Sequence, residues 1–258
     1  GQIAERLRDR FKLLRGGSRT ALPPQQTLRA LIDWSYLTLN ETEQQVLRAL
    51  AVFSGGWTFE AAESVAGEME AMDGLSGLVN KSLVSVEERE GESRYRYLET
   101  IRQYAMEKLV EFGDVVDVRD RHLAHFKDYA RRADEQFGTP QRPLWVNRLE
   151  VEHDNLRSAL GWAVEHHPES ALQMVASLAT FWLSRGYMTE GCKWCQAALG
   201  RAEALSLAGL NIDPKRAQAY TALARLSINR GEHRTGQSAA REAVALARQV
   251  DDPIQLAR

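Results

Sequence analysis

Residues 22–36 read LPPQQTLRALIDWSY, and this stretch decides how the rest of the chain is interpreted. Its apolar side chains recur at the three- and four-residue spacing of a helix that buries one face. Two more blocks follow in order: residues 80–84 read NKSLV, and residues 95–105 read YRYLETIRQYA. Together the three blocks predict one small domain that begins and ends with helices.

Helix boundaries inside this domain are marked by capping residues. Asn40 and Glu43 are spaced as an N-cap and its reciprocal partner, and Thr58 stands where the next helix needs a cap. A further helix is predicted from residue 69 to residue 80. Its residues predicted to face inward are Met72, Leu75, Leu78 and Val79.

After Lys81 the apolar period changes from 3.6 residues to two. Valines and then tyrosines alternate with polar residues on either side of a polar turn at residues 88–93, which is the pattern of a β-hairpin. A helix resumes at Ile101 and ends near Gly113. Helices enclosing a hairpin predict a winged-helix domain, with the hairpin as its wing.

The remaining residues, 114–258, are predicted to be helical, with breaks at residues 138–140, 167–168, 186 and 209–214. Residues 45 positions apart match one another, and small side chains predominate among them: Leu178 and Leu223, Ala179 and Ala224, Gly186 and Gly231, Gly191 and Gly236, Cys195 and Ala240, Ala198 and Ala243. Such residues allow antiparallel helices to approach closely. We expect a tetratricopeptide-like array whose usual period of about 34 residues is stretched by residues 200–213.

Composition describes an ordinary globular protein of two domains: 258 residues, 44% hydrophobic, 26% charged, net charge −2. No run of 18 apolar residues and no signal peptide is found, so we expect no membrane contact and a cytoplasmic location. Two cysteines do not make a secreted disulfide framework. Because the chain opens on a helical stripe (Ile3, Leu7, Phe11, Leu14), we expect it to be a piece of a longer protein.

A fourth block, EVEHDNLR at residues 150–157, completes a resemblance to one family. The four blocks in this order resemble bacterial STAND-type regulators, the ATP-binding LuxR-type and antibiotic-regulatory-protein-type activators related to NB-ARC switch proteins. The resemblance implies a mainly α chain with three parts. These are the end of the helical domain of the ATPase core and a linker (1–26), a winged-helix domain (27–113) and a tetratricopeptide-like domain (114–258).

The resemblance implies a regulatory role without catalysis by this segment. No G-x-x-x-x-G-K-[ST] motif occurs, so we expect no cofactor on this segment and ATP or ADP on the full-length parent. The winged helix would pack against a nucleotide-binding domain of the same chain. Nucleotide exchange would release the arm, permit self-association and drive transcription through a separate output domain.

The related switch proteins carry a Met-His-Asp motif whose histidine contacts ADP. Aligning the helix that follows places this motif on Tyr97, Leu98 and Glu99. Leu98 cannot donate a hydrogen bond to phosphate, whereas Glu99 could still cap the helix by its charge. We therefore predict Leu98 and Glu99 as the nucleotide-sensor position, with Leu98 at the surface. The alternative is that this segment only joins wing to helix.

A DNA-binding winged helix is the first alternative function. The predicted reading region carries five acids, Glu60, Glu63, Glu68, Glu70 and Asp73, and no Lys or Arg before Lys81. Phosphate neutralisation supplies most DNA affinity, so we expect no direct DNA binding. Arg94, Arg96 and a basic start, with seven Lys or Arg against two acids in residues 1–30, keep the alternative open.

A redox or metal protein is the second alternative, because residues 192–195 read CKWC. Zinc needs four ligands, and no second pair has suitable spacing. The repeat alignment predicts Cys195 as a buried packing residue and Cys192 as a surface residue. His122, His125 and His153 are predicted to have surface or half-buried structural roles.

Aromatic residues are frequent in the helical part and are mostly expected in its core. The family is thought to receive an inducer or a regulatory protein on the repeats. We therefore predict Trp182, Tyr187 and Trp194 as partner-binding residues.

Overall fold

The computed structural model describes residues 23–89, 92–206 and 213–250. The helices in these ranges are α1 (Pro23–Leu37), α2 (Glu41–Ala49), α3 (Phe59–Ala66), α4 (Glu68–Asn80), α5 (Glu99–Phe112), α6 (Val115–Gln136), α7 (Arg142–Val151), α8 (His153–His166), α9 (Pro168–Arg185), α10 (Met188–Ser206), α11 (Asp213–Asn229) and α12 (His233–Val250). The strands are β1 (Gly56–Thr58), β2 (Val84–Arg89) and β3 (Glu92–Tyr97). The predicted fold class, a winged helix followed by a helical repeat-like array, is confirmed.

The caps predicted in the first domain are present. Asn40 accepts from the backbone N–H of Glu43 at 2.9 Å, and the Glu43 carboxylate accepts from the backbone N–H of Asn40 at 2.8 Å. Thr58 accepts from the backbone N–H of Ala61 at 3.2 Å. These contacts satisfy donors that a helix start leaves unpaired, so they fix where α2 and α3 begin.

The wing is larger than predicted. β2 and β3 form the expected antiparallel hairpin, with Val84 opposite Tyr97. β1 adds a third antiparallel strand on the other side of β3, with Trp57 opposite Tyr95. Three residues are too short to show a two-residue period, which is why the sequence did not indicate this strand.

One prediction for α4 is wrong. Leu75 and Leu78 are buried and Val79 is partly buried, but Met72 is 65% exposed. The inward face instead contains Ala71 and Gly74, and α4 approaches α2 so closely that a Cβ on Gly74 would lie 2.8 Å from Val46 Cβ. A glycine therefore stands at the closest approach to α2, and Met72 lies off this face and is exposed to solvent.

The second part stacks helices in sequence. α6, α9 and α11 lie side by side, while α8, α10 and α12 pack behind them. Two of the four matched glycines lie at close helix contacts, as predicted: a Cβ on Gly191 would lie 2.7 Å from Trp182 Cε3, and one on Gly236 would lie 3.2 Å from the carbonyl oxygen of Ala224. For Gly186 and Gly231 the expectation of close contact is wrong, because they end helices at positive φ with no atom within 4 Å of an added Cβ. A further break, between α7 and α8 at Glu152, was not predicted.

Several predictions concern residues outside the described ranges. They are the N-terminal apolar stripe from Ile3 to Leu14, the tip of the wing and residues 207–212 of the stretch predicted to lengthen the repeat. The limits of the three predicted parts also stay predictions. Among the described helices, none is long and apolar enough to cross a bilayer.

Candidate functional site

The junction between the wing and the helical array is built around Asn155, which is only 1% exposed. Its Oδ1 accepts from the backbone N–H of Ser54 at 2.7 Å. Its side-chain amide donates to the carbonyl of Gly56 at 2.9 Å and to Glu152 Oε2 at 2.7 Å. One side chain of α8 therefore holds the backbone on both sides of Gly55, where the chain enters β1.

Glu152 extends this junction from β1 to β3, the strand that pairs with β1. Its Oε1 accepts from Arg94 Nη1 on β3 at 2.5 Å, and both side chains are largely buried, at 6% and 15% exposure. A buried carboxylate is stable only when it is paired and hydrogen-bonded. Glu152 meets both conditions through Arg94 and Asn155. We call Arg94, Glu152 and Asn155 the wing clamp.

An aromatic cluster lies beneath the wing clamp. Phe53 stacks on Trp57 with ring centroids 5.3 Å apart and meets the edge of His122 at 5.1 Å. His122 in turn contacts Phe126 at 4.7 Å. Burial, with a smaller effect from the neighbouring charge of His125, lowers the pKa of His122 to about 3. The expected surface or half-buried role for His122 is wrong, because it is a neutral core residue joining the two parts.

The predicted partner-binding residues lie around a second polar cluster. The Glu190 carboxylate accepts from Arg157 Nε at 2.7 Å and from Trp194 Nε1 at 3.4 Å, and it lies 3.2 Å from His153 Nε2. Burial alone would raise the pKa of Glu190, but the hydrogen bond from Arg157 holds it below its ordinary value. The cluster is therefore an anion already neutralised by its own neighbours.

Of the three predicted partner-binding residues, two reach the surface. Tyr187 is half-buried, lies with its ring centroid 4.7 Å from that of His153 and donates to Glu150 at 2.7 Å, and Trp194 is also half-buried. Trp182 is 1% exposed and packs on Gly191, so its place is the core. The structure brings the three side chains to one region, and their partner-binding role stays a prediction.

The predicted nucleotide-sensor residues lie at the start of α5. Leu98 is 65% exposed, as predicted. Glu99 does not cap the helix through the backbone. It accepts from Arg102 Nε at 2.9 Å and from Gln103 at 2.8 Å, and the bond from Arg102 lowers its pKa. Tyr97 is buried and donates to the carbonyl of Leu47. The side chains of Leu98 and the ionised Glu99 carry no hydrogen-bond donor for a phosphate. The nucleotide-sensor role of the two residues stays a prediction.

The cysteines depart from the prediction in one respect. Cys195 is buried as expected, but Cys192 is buried too, with its Sγ 3.6 Å from Ser227 Oγ. Burial raises the pKa of the Cys195 thiol. Both thiols are free. No group of three or more potential metal ligands occurs within the described ranges.

Comparison with known proteins identifies the type of domain in the first part of the chain. A family model described as a winged helix-turn-helix domain matches residues 39–110. The chain contains a winged helix-turn-helix domain. The match begins just before α2 and ends within α5, so it encloses the three-stranded sheet.

Longer proteins are similar to all or to half of this chain. A protein of Mycobacterium tuberculosis strain H37Rv, provisionally named an HTH-type transcriptional regulator, is 40% identical over 267 residues, covering all of this chain and 30% of that protein. A Mycobacterium bovis protein of the same description matches equally. An uncharacterized M. tuberculosis protein is 39% identical over 132 residues, covering 49% of this chain and 34% of its own. The chain thus spans about a third of the length of these relatives.

A solved structure was also found. It is a signal transduction ATPase with numerous domains from Pyrococcus horikoshii, described as having a tetratricopeptide repeat sensor. It is 16% identical, covers 85% of this chain and 46% of its own, and has a TM-score of 0.30. That superposition is too loose to show a common fold.

The wing clamp is the feature of the candidate site that sequence reasoning missed. Residues 150–157 were singled out as a block, but the roles of Glu152 and Asn155 depend on partners that lie 58 and 101 positions earlier. No local period indicates such contacts. The one available signal was a pair of polar residues, Glu152 and Asn155, spaced to share a helix face beside the apolar Leu156.

Proposed function

We propose that the chain is the winged-helix and sensor-arm part of a STAND-type, nucleotide-switched transcriptional regulator of the LuxR and NB-ARC-related kind. It acts by binding and domain rearrangement and catalyses no reaction. The observation that carries this proposal is the wing clamp. It couples the winged helix-turn-helix domain to the helical array through buried polar contacts, so displacement of the array is transmitted to the backbone of β1 and to β3.

The relatives support the regulatory part of this proposal. Identity of 40% extends over the whole chain, including the array, in proteins named as transcriptional regulators. A shared two-part unit of this kind is expected where the two parts work together. Two free thiols fit a cytoplasmic protein, where cysteines stay reduced.

The charge on the winged helix-turn-helix domain favours a switching role over direct DNA binding. Glu60, Glu68 and Asp73 are exposed on α3 and α4, the region that would approach DNA. Arg94, the basic residue nearest the tip of the wing on β3, is bound by Glu152. Because DNA affinity comes largely from cations that meet phosphates, this surface is unsuited to a duplex. DNA binding would belong to an output domain elsewhere in the full-length protein.

An exposed apolar face on α1 supports contact with another domain of the same protein. Four large side chains point to solvent over about three turns: Leu28, Leu31, Trp34 and Leu37. Contiguous apolar surface of this kind marks an interaction site. We assign it to a nucleotide-binding domain that holds ATP or ADP through its own residues. Leu98 would add apolar contact near the nucleotide without a bond to phosphate.

The helical array would then be the sensor, with an inducer or a regulatory protein bound to its surface and self-association following its release. A chimera tests the proposal. The matching segment of the M. tuberculosis relative is replaced by residues 1–258, and transcript levels are compared in strains that carry no regulator, the chimera, or the chimera with Asn155→Ala.

We expect the chimera to alter a set of transcripts and Asn155→Ala to change their levels, because the clamp then no longer couples array to domain. A matched variant, Asn147→Ala, changes an exposed residue and should behave as the unmodified chimera. Identical transcript levels in all strains would contradict the proposal.

A further inference from the structure

A groove of about 420 Å³ lies on the face of the array formed by α6, α9 and α11. Its walls carry Asp134, Ser177, Gln218, Thr221 and Arg225, with Ala176, Ala179 and Ala222 between them. Its volume is within the range of ligand sites. None of the predicted partner-binding residues lines it.

Ser177, which lines the groove, belongs to a polar stripe that runs along α9 beyond both ends of the groove. Spacings of three and four residues place five uncharged polar side chains on one face of this helix: Ser170, Gln173, Ser177, Thr180 and Ser184. From the first to the last the stripe runs about 21 Å, at 1.5 Å per residue. Alanines beside it leave room for a ligand backbone to approach.

Three cations reach this stripe from three different elements. Lys127 Nζ donates to Ser170 Oγ at 3.4 Å, Arg225 Nη2 to Thr180 Oγ1 at 3.4 Å and Arg142 Nη2 to Ser184 Oγ at 3.1 Å. In the part of the chain that the structure describes, none of the three forms an ion pair. The long bonds to hydroxyls are weak, and a carboxylate would be a stronger acceptor for each cation.

We infer that the groove and the polar stripe on either side of it bind an extended acidic peptide, whose carboxylates are held by Arg225, Arg142 and Lys127. This inference deepens the proposed partner-binding role of the array, on which it rests, by giving the partner's chemistry. The polar stripe would accept and donate bonds to the peptide backbone, and the spacing of the cations matches a ligand of about seven extended residues at about 3.3 Å each.

A single-stranded nucleic acid is the other anionic ligand that could follow such a row of cations. One feature of the groove favours a peptide: its lining contains no aromatic side chain on which a base could stack.

Fluorescence anisotropy on the 258-residue chain tests the inference. The probe is a fluorescein-labelled peptide of about seven residues in which glutamate alternates with serine, and its control has glutamine in place of glutamate. We expect the glutamate probe to bind, the glutamine probe to bind at least tenfold more weakly, and added salt to weaken binding. Arg225→Gln should weaken binding of the glutamate probe about tenfold through loss of one charge-assisted contact.

The matched control is Arg131→Gln, on α6. Arg131 is exposed as well, but Asp128 and Glu135 already pair with it, so binding should not change. Unfolding curves of each variant establish that the fold is retained. Equal binding of both probes, equal binding by Arg225→Gln, or no binding of the glutamate probe would each overturn the inference. So would tight binding of an oligothymidylate of similar length in place of the peptide.

These outcomes are separable from failure of the proposed function. A chimera that regulates transcription, combined with a groove that does not bind the glutamate probe, would remove only this inference. A chimera without any effect on transcription, combined with a groove that binds the probe as described, would remove the regulatory proposal and leave an acidic-peptide site.

Discussion

The side chain of Asn155 accepts a hydrogen bond from the backbone N–H of Ser54 at 2.7 Å, across 101 positions of sequence. The same amide donates to the carbonyl of Gly56, so it substitutes for a strand partner at the start of β1. A helix of the array thereby completes the hydrogen bonding of the winged helix-turn-helix domain. Contacts of this kind make the two parts depend on each other for stability.

Asn155→Ala should lower the free energy of unfolding by about 2–4 kcal/mol, because it leaves two backbone groups and one oxygen of Glu152 without their partner. Urea unfolding at neutral pH measures this. Asn147→Ala, which changes an exposed residue of α7, should cost less than about 1 kcal/mol. Equal losses in the two variants would show that Asn155 is not a structural link.

Arg94 and Arg96 form a matched pair on one strand. Arg94→Met should destabilise by about 3 kcal/mol, since it leaves the buried Glu152 carboxylate without its cation. Arg96 pairs with Glu87 in solvent, with both side chains more than half exposed, so Arg96→Met should cost less than about 1 kcal/mol. Thermal unfolding of both variants compares the two ion pairs directly, and a reversed order would contradict the clamp.

The two cysteines should differ although both are buried. Cys195→Ser places a hydroxyl where no partner is described and should destabilise by about 1–3 kcal/mol. Serine at position 192 can hydrogen-bond Ser227, whose hydroxyl already lies near the Cys192 sulfur, so Cys192→Ser should cost under about 1 kcal/mol. The urea unfolding midpoints of the two variants test this order of stability. Stoichiometric zinc in the purified chain would argue against a packing role for Cys192 and Cys195.

Stability should fall as the pH falls below about 6.5. The pKa of His122 is about 3 in the folded chain because the ring is buried, against about 6.5 when unfolded. Between these values the unfolded chain binds a proton that the folded chain does not, so His122 contributes a loss approaching 1.4 kcal/mol per pH unit. His122→Asn should reduce the slope of unfolding free energy between pH 6.5 and 5. His233→Asn, at an exposed site, should leave it unchanged.

The chain should not bind duplex DNA with sequence preference at physiological salt. Exposed acids on α3 and α4, including Glu60 and Asp73, occupy the surface that would face the groove. Gel-shift assays over a randomised duplex pool measure this. Sub-micromolar, sequence-dependent binding whose affinity falls steeply with added salt would contradict this prediction. It would mean that the acidic residues do not prevent the surface from binding DNA.

Local signals predicted the local structure well. The capping pair at Asn40 and Glu43 and the alternation around Val84 and Tyr97 each depend on neighbours within a few residues, and both were present as expected. The glycines at 191 and 236 were also correctly assigned to close helix contacts. In each case the physical cause lies within one element or between two sequential elements.

What the sequence did not predict depends on distant partners. Met72 was assigned inward from its helical spacing to Leu75 and Val79, whereas the closest approach of α2 is to Gly74 and Met72 is exposed. His122 was taken as a surface or half-buried residue because its sequence neighbours are charged, but Phe53 and Phe126 enclose it. Cys192 was placed at the surface by an alignment of repeats that does not include Ser227.

The wing clamp has a consequence for competition. Glu152 and Asn155 belong to the same molecule as the wing, and a tethered partner acts at an effective concentration that can reach the millimolar range. Any other molecule that binds Arg94 on β3 must therefore compete with an intramolecular contact, whose partner stays tethered in the same chain. The contact of Glu152 with Arg94 therefore sets the affinity that a competing ligand must exceed. Only a ligand that first separates the array from the wing exposes the Arg94 side of β3.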